Sequence, residues 1–514
     1  MLLKNMVIKS RYLDSVVLMQ ISAKAGRLKG VRQSSCMMGT PNNLAILREA
    51  GLLSEEGAGA SPNDVIVAVK AEDDTALAGA LNEIEEMLSS FDGRHGTDED
   101  YRPRTLRSAV DMLQGASLAV ISLPGPYVKD EALKALSLGC NLMIFSDNVP
   151  VEHERFIKEQ GRERNLLVMG PDCGTAIIQN VALCFANKVR KGSIGIVGAA
   201  GTGIQEAACI LSRVGAGISH AIGTGGRDLS SAVGGITTLM ALDLLEKDPA
   251  TSAVLIISKP PSPDVEEIVL ERVSDFAKPV VINFLRGDPV KARRRNLRAA
   301  ETLEEGALLV AELAGIKNPA RFLPEEDIIE KALGRKSRLS PGQVFLRGLY
   351  SGGTLCDEAQ ILLERKIGDV YSNVPLKPEY KLKDSRKSQG NCLLDLGDDE
   401  FTVGVPHPML DCTLRCERIM EEARDPEVAV ILMDVVLGYG VHPNPAEPIA
   451  DAVKKAMESA AGRHIIFLAA LCGLDGDPQD LQKQKGILEE AGVLVACTNA
   501  SAVRCASAVM GGIR

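Results

Sequence analysis

One pattern occurs twice in this chain and constrains it more than anything else. An apolar strand, a glycine turn and a helix run through IGIVGAAGTGIQEAACILSRV (194–214), and the same order returns in VFLRGLYSGGTLCDEAQILL (344–363). Downstream, DPATSAVLIISKPP (248–261) is matched by DPEVAVILMDVVLGYG (425–440), with Asp-Pro before each strand. KPVVINFLRG (278–287) is matched in turn by RHIIFLAALCG (463–473). Strands this apolar, alternating with helices, must be covered on both faces, as in parallel sheets. The expected fold class is α/β and multi-domain, with the last part of the chain duplicating the middle.

At 514 residues the chain exceeds what one core supports, so several domains are expected. Residues 1–90 read as a small α+β N-terminal domain, with Asp14 capping its first helix and Leu77, Leu81, Ile84 and Leu88 lining its last. The polar segment 91–104 is a linker. Residues 105–190 alternate LAVISLPG, NLMIFSDN and LLVMGPDCGTAII with helices and form a Rossmann-like unit. No GxGxxG stands where a dinucleotide fold requires it, so NAD binding is not expected. Residues 191–330 hold the first copy of the repeat and 342–514 the second. A charged stretch with several breakers (316–341) divides them.

Gly at 48, against 10 Phe, 7 Tyr and no Trp, fits many tight turns around an aliphatic core. A net charge of −10 gives duplex nucleic acid no electrostatic footing. The basic run Lys291–Arg295 reads as a solvated helix start. No segment reaches the ~20 apolar residues of a membrane helix, and the N-terminus lacks the features of a signal peptide. The twelve cysteines show no CxxC pairing. Cys412 and Cys416 share a helix face without further ligands, so no metal site is expected. A cytoplasmic location follows.

Several residues have the chemistry of a site. Gly201-Thr202-Gly203 and Ser351-Gly352-Gly353-Thr354 each lie between a strand and a helix N-terminus, where free amides and close backbone approach favour an anion. Each helix end offers only about 0.3–1 kcal/mol of dipole stabilisation, so direct N–H bonds and the Thr202 and Thr354 hydroxyls must add to it. If the two copies face each other, both ends converge on one anion. Gly223 to Asp228 reads either as an anion loop, with Gly225 and Gly226 at its bend and Arg227 as clamp, or as a plain crossover. Cys173 in GPDCG is a nucleophile or a core thiol, with no thiolate-stabilising partner beside it. His407, between two prolines in GVPHPML, is a general acid/base or a plain loop residue. His442 is similarly Pro-restricted, and His220 reads as a core histidine within a strand.

The central segment resembles the succinyl-CoA synthetase α-subunit through GPDCG (170–174), 194–207, GTGGRD (223–228), LDLLEKDPATSAVLIIS (242–258) and KPVVINFLRG (278–287). More closely, the whole chain resembles the FdrA family. The strings are CMMGTPNN (36–43), MIFSDNV (143–149), VMGPDCGTA (168–176), GTGIQE (201–206), GGRDLS (225–230), GLYSGGTL (348–355), DLGDDEFTVGVPHPM (395–409) and DVVLGYG (434–440). The resemblance implies a CoA-binding-type Rossmann domain at 105–190 and two flavodoxin-like ligase-CoA-type domains at 191–330 and 342–514. In the synthetases the two glycine-turn helices aim at a phosphorylated histidine, and the resemblance identifies those turns with Gly201-Thr202-Gly203 and Gly352-Gly353-Thr354. Two features depart from the synthetases: the stretch after KPVV holds no histidine, and no ATP-grasp segment is recognisable.

FdrA-type proteins are associated with an oxamate carbamoyltransferase of allantoin and purine catabolism. The resemblance therefore implies a carbamoyltransferase subunit converting oxalurate and phosphate to oxamate and carbamoyl phosphate. On that expectation Thr202, Thr354 and His407 are catalytic. Gly201, Gly203, Gly225, Gly226, Arg227, Gly352 and Gly353 bind phosphate or substrate. No cofactor is required, CoA stays open, and partner subunits and a homo-oligomer are expected. An acyl-CoA synthetase and a non-catalytic scaffold are the alternatives.

Overall fold

The computed structural model describes residues 1–11, 13, 15–92, 103–323, 325–402 and 405–511. Asp14, expected as a helix cap, and most of the 91–104 linker lie outside the described residues. The first unit is an antiparallel sheet of β1 (Leu2–Ile8), β2 (Val31–Met38) and β3 (Val65–Ala71), in the order β1-β3-β2. The two-residue period of β3 divides its side chains. Val65, Val67 and Val69 pack with Leu18, Ile21 and Leu81, while Ile66 and Ala68 meet Leu47 and Leu52 on the other face.

The second unit is built on a small sheet. β4 (Leu118–Ile121), β5 (Asn141–Ile144) and β6 (Val168–Met169) form a three-stranded parallel sheet. The run LLVMGPDCGTAII, read as one strand, breaks after Met169. Its second half is β7 (Thr175–Ile178), which turns through Gln179 and Asn180 into β8 (Val181–Cys184). Those two turn residues have φ of 50° and 67°, the left-handed pair a two-residue hairpin needs. β7 then pairs antiparallel with β10 (Ile218–Gly223), so residues 175–184 belong to the next sheet and not to the 105–190 unit.

That next sheet runs β13-β12-β11-β9-β10-β7-β8, with β9 (Lys191–Gly198), β11 (Ala253–Ser258), β12 (Val280–Phe284) and β13 (Arg298–Ala299) parallel to β10. The last sheet is wholly parallel, in the order β15-β16-β14-β17-β18-β19. Its strands are β14 (Phe345–Tyr350), β15 (Tyr371–Ser372), β16 (Cys392–Asp395), β17 (Val428–Val436), β18 (Ile466–Cys472) and β19 (Leu494–Ala496). The duplication is therefore topological: β13-β12-β11-β9-β10 is repeated as β19-β18-β17-β14-β16. In both sheets the strand feeding the glycine turn has neighbours on opposite sides, which opens a crevice at its carboxyl end.

The helices Gly201–Arg213 and Gly353–Ile367 share one core. Ile204, Ala207 and Leu211 of the first pack in the same buried cluster as Leu355, Ala359 and Leu363 of the second. Small alanines permit the close approach, and close packing fixes the relative position of the two turns. The breaker-rich 316–341 stretch contains a helix, Glu326–Lys336, lying against β19. Among the described residues no helix is long and apolar enough to cross a membrane.

Candidate active site at two opposed helix ends

The two glycine turns meet. A β-carbon on Gly352 would lie 2.9 Å from Thr202 Cγ2, and one on Gly203 would lie 2.9 Å from Thr354 Cγ2. Each helix thus inserts its threonine against a glycine of the other, which is why neither position has room for a side chain. At neither helix N-terminus does an N-cap side chain accept a backbone N–H, since the caps are Ala200 and Gly352. The positive ends of two helix dipoles therefore face one region.

The second turn is anchored from below by a carboxylate. Asp434, inside the buried run of β17, accepts the N–H groups of Ser351 and Gly352 at 2.8 Å each and the Ser351 hydroxyl at 3.0 Å. Arg415, itself buried, donates to the same carboxylate at 2.9 Å. A buried carboxylate needs such saturation to stay charged. This holds the Ser351-Gly352 backbone rigid and leaves the helix proper, from Gly353, facing the crevice.

Charged side chains gather at the rim. Lys259, just after β11, lies 3.3 Å from Asp357, and Arg286, just after β12, pairs with the other oxygen of that carboxylate. Arg286 stands at φ 68°, the left-handed region, so the chain bends there to aim its guanidinium inward. Asp395 ends β16, and its Oδ2 would be 2.5 Å from a β-carbon on Gly353. Burial pushes Asp395 up to about 7, although the Gly397 N–H and Lys259 both favour its charged form. A carboxyl at a helix N-terminus that exchanges its proton near neutrality is suited to acid/base work.

His407 stands beside the second turn. A β-carbon on Gly397 would meet both His407 Nε2 and Ser351 O at 2.7 Å. Burial, then Arg415, pushes His407 down to about 4. Its Nδ1 accepts from Met409 N at 3.2 Å, so the ring is neutral with its proton on Nε2, a donor and not a base.

The remaining residues singled out in the sequence lie elsewhere around the crevice. Gly201 approaches the Thr175 hydroxyl, where a β-carbon would be 3.2 Å away. Gly225 has φ of 85° and packs on Pro171 O, while Gly226 faces Asp172. Arg227 is held by Glu154 at 2.9 Å and by Val149 O at 2.7 Å. Asp228 caps the helix Ile236–Lys247 through Thr237 and Thr238 and pairs with buried Lys158 at 2.7 Å. The loop 223–228 is thereby a locked crossover, and Arg227 points to the 149–154 segment rather than to the helix ends. Burial drives the Cys173 thiol up to about 12, which removes it as a nucleophile. Among the described residues no three His, Cys, Asp or Glu side chains are grouped as metal ligands.

Lys259, Arg286, Asp357, Asp395 and Asp434 went unread in the sequence. Their signal was nonetheless there: Lys259 and Arg286 directly follow apolar strands, Asp395 closes one, and Asp434 is the single charge inside another. Charged residues at the carboxyl ends of parallel strands face the ligand crevice.

Comparison with known proteins agrees with this architecture. Residues 349–509 match the family model described as CoA-ligase, and residues 189–285 the one described as CoA binding domain. The latter match falls on the first glycine-turn unit, whereas the sequence reading had placed CoA-binding character at 105–190. Residues 1–103 match the one described as AllF, heavy metal-associated domain. The malate–CoA ligase α-subunit of Methylorubrum extorquens is 28% identical over 220 residues, covering 41% of this chain and 72% of its own. The succinate–CoA ligase [ADP-forming] α-subunit of Aquifex aeolicus is 30% identical over 196 residues, covering 37% and 63%. These matches correct the expected activity: they are to CoA ligases and CoA-binding domains, and none describes a carbamoyltransferase. The uncharacterized protein YahF of Escherichia coli K12 is 43% identical over 503 residues. That identity spans 97% of both chains, so this chain belongs to the FdrA-like family.

Proposed function

We propose that this chain is an acyl-CoA synthetase-type enzyme that exchanges an acyl group between phosphate and the thiol of CoA at the opposed helix ends. The observation that carries the reading is the contact of the two turns, Thr202 on Gly352 and Thr354 on Gly203, in a chain matching CoA-ligase and CoA-binding families. Two helix N-termini with no side chain satisfying them supply N–H groups and positive potential for the phosphate of an acyl phosphate. Lys259 and Arg286 add two cations at the rim.

In the forward direction the CoA sulfur attacks the acyl carbon. A carbon–sulfur bond forms, the carbon–oxygen bond to phosphate breaks, and inorganic phosphate leaves toward the helix ends. The thiol proton passes to Asp395, whose carboxyl changes state near neutral pH. The neutral His407 offers its Nε2–H to the developing oxyanion, a role that needs a donor without a net charge.

The test supplies the purified chain with acetyl phosphate and CoA and follows thioester formation. Asp395→Asn is expected to lower the rate by about 10²–10⁴-fold. Thr202→Val with Thr354→Val removes both hydroxyls and raises KM for the acyl phosphate. Unchanged rates in both variants, with wild-type turnover measured alongside, would overturn the site.

A further inference from the structure

A second cleft lies at the far end of the same helix that carries the first turn. Arg213 closes the Gly201–Arg213 helix, about 18 Å along its axis from Gly201. It borders a cleft of about 640 Å³ between the carboxyl ends of β18 and β19, the helix Glu326–Lys336 and the helix Leu481–Glu490. That volume is the size of small-molecule sites.

The lining is sorted by charge and depth. Arg213, Arg335 and Lys485 are partly buried, whereas the acids Asp327, Asp475 and Glu489 are exposed at the rim. Arg213 gives its hydrogen bonds to main-chain carbonyls, Leu471 O at 2.9 Å, Gly473 O at 2.7 Å and Cys497 O. Arg335 donates to Gly492 O. Among the described residues neither arginine has a carboxylate within ion-pair distance, although the buried Glu206 acts on Arg213 from behind the cleft wall. Lys331 adds a fourth cation from the wall. Ile328, Leu471, Leu481 and Val495 supply an apolar strip beside these cations.

We infer that this cleft binds an organic phosphate, with the phosphate dianion among Arg213, Arg335, Lys331 and Lys485 and its organic body on the apolar strip. Two inward arginines, with Lys331 and Lys485 nearer the mouth and Lys485 3.8 Å from Glu489 there, suit a dianion better than a monocarboxylate. The site is separate from the helix-end crevice and does not depend on the activity proposed there.

Calorimetry on the full chain tests it with adenosine monophosphate, a hexose phosphate and inorganic phosphate as probes. One of the two organic phosphates is expected to bind with Kd below about 1 mM, and which one does distinguishes a nucleotide from a sugar phosphate. Lys331→Glu with Lys485→Glu, both surface-accessible changes, should weaken that binding at least about tenfold while leaving Tm unchanged. Thr202→Val, at the other end of the helix, should leave it intact. Three results would each overturn the site: no binding of either organic phosphate, inorganic phosphate binding as tightly as both, or affinity that survives the double lysine change.

Discussion

Asp395 and His407 were brought together by folding, and their protonation follows from what surrounds them. With its carboxyl raised to about 7, Asp395 is a base only above that pH. The pH profile of kcat/KM for thioester formation is therefore expected to rise through about pH 7 and to lose that limb in Asp395→Asn. A profile whose limb survives in the variant would assign the proton to another group. His407 and His442 are both pushed down to about 4, each by burial first. Unfolded histidine protonates near 6.5, so between those values the unfolded chain binds protons the folded chain does not. Stability is then fully present above about pH 6.5 and falls as the pH drops toward 4, by on the order of 3 kcal/mol for the enclosed His407 and by less for the better solvated His442. Urea midpoints of His407→Gln with His442→Gln should show a flatter slope across that window than wild type. Of these residues only the histidines stood out in the sequence, because Pro-flanked loops are visible there. The environment of Asp395 arises from Gly353, Lys259 and Asp357, which are remote from it in sequence.

At the scale of elements, the opposed glycine turns make a packing statement that can be tested apart from catalysis. Gly352 has φ −108° and ψ 109°, a conformation open to alanine, so Gly352→Ala carries no backbone penalty. Its new methyl would nonetheless meet Thr202 at 2.9 Å. Gly352→Ala should destabilise the protein by about 1–3 kcal/mol, and Thr202→Ala should recover most of that loss in a double-mutant cycle. Additive effects would mean the turns do not touch. The repeat was legible in advance because strand, glycine turn and helix recur in a fixed order with Asp-Pro ahead of the next strand. Those aspartates act alike: Asp248 accepts from Ala250 N and Asp425 from Glu427 N, each turning the chain into the following strand. The β7–β8 hairpin was not legible, since Gln179-Asn180 lacks the glycine that usually marks such a turn. Through it, residues 175–184 join the sheet that follows.

For the whole molecule, the shared core of the two duplicated units turns two separate crevices into one. Neither unit has the complete site: Thr202, Lys259 and Arg286 come from the first, and Thr354, Asp357, Asp395 and His407 from the second. Fold class and duplication could be inferred from apolar periodicity, but the reaction could not. Opposed helix ends suit any phosphate-bearing intermediate, and the choice between carbamoyl and CoA chemistry came from the families that residues 189–285 and 349–509 match. The most direct test of the account is whether CoA makes the chain release phosphate from an acyl phosphate. CoA-dependent phosphate release, matched mole for mole by thioester and lost in Asp395→Asn, is the predicted result. Phosphate release that is indifferent to CoA, or no thioester from a folded chain that binds both substrates, would contradict it.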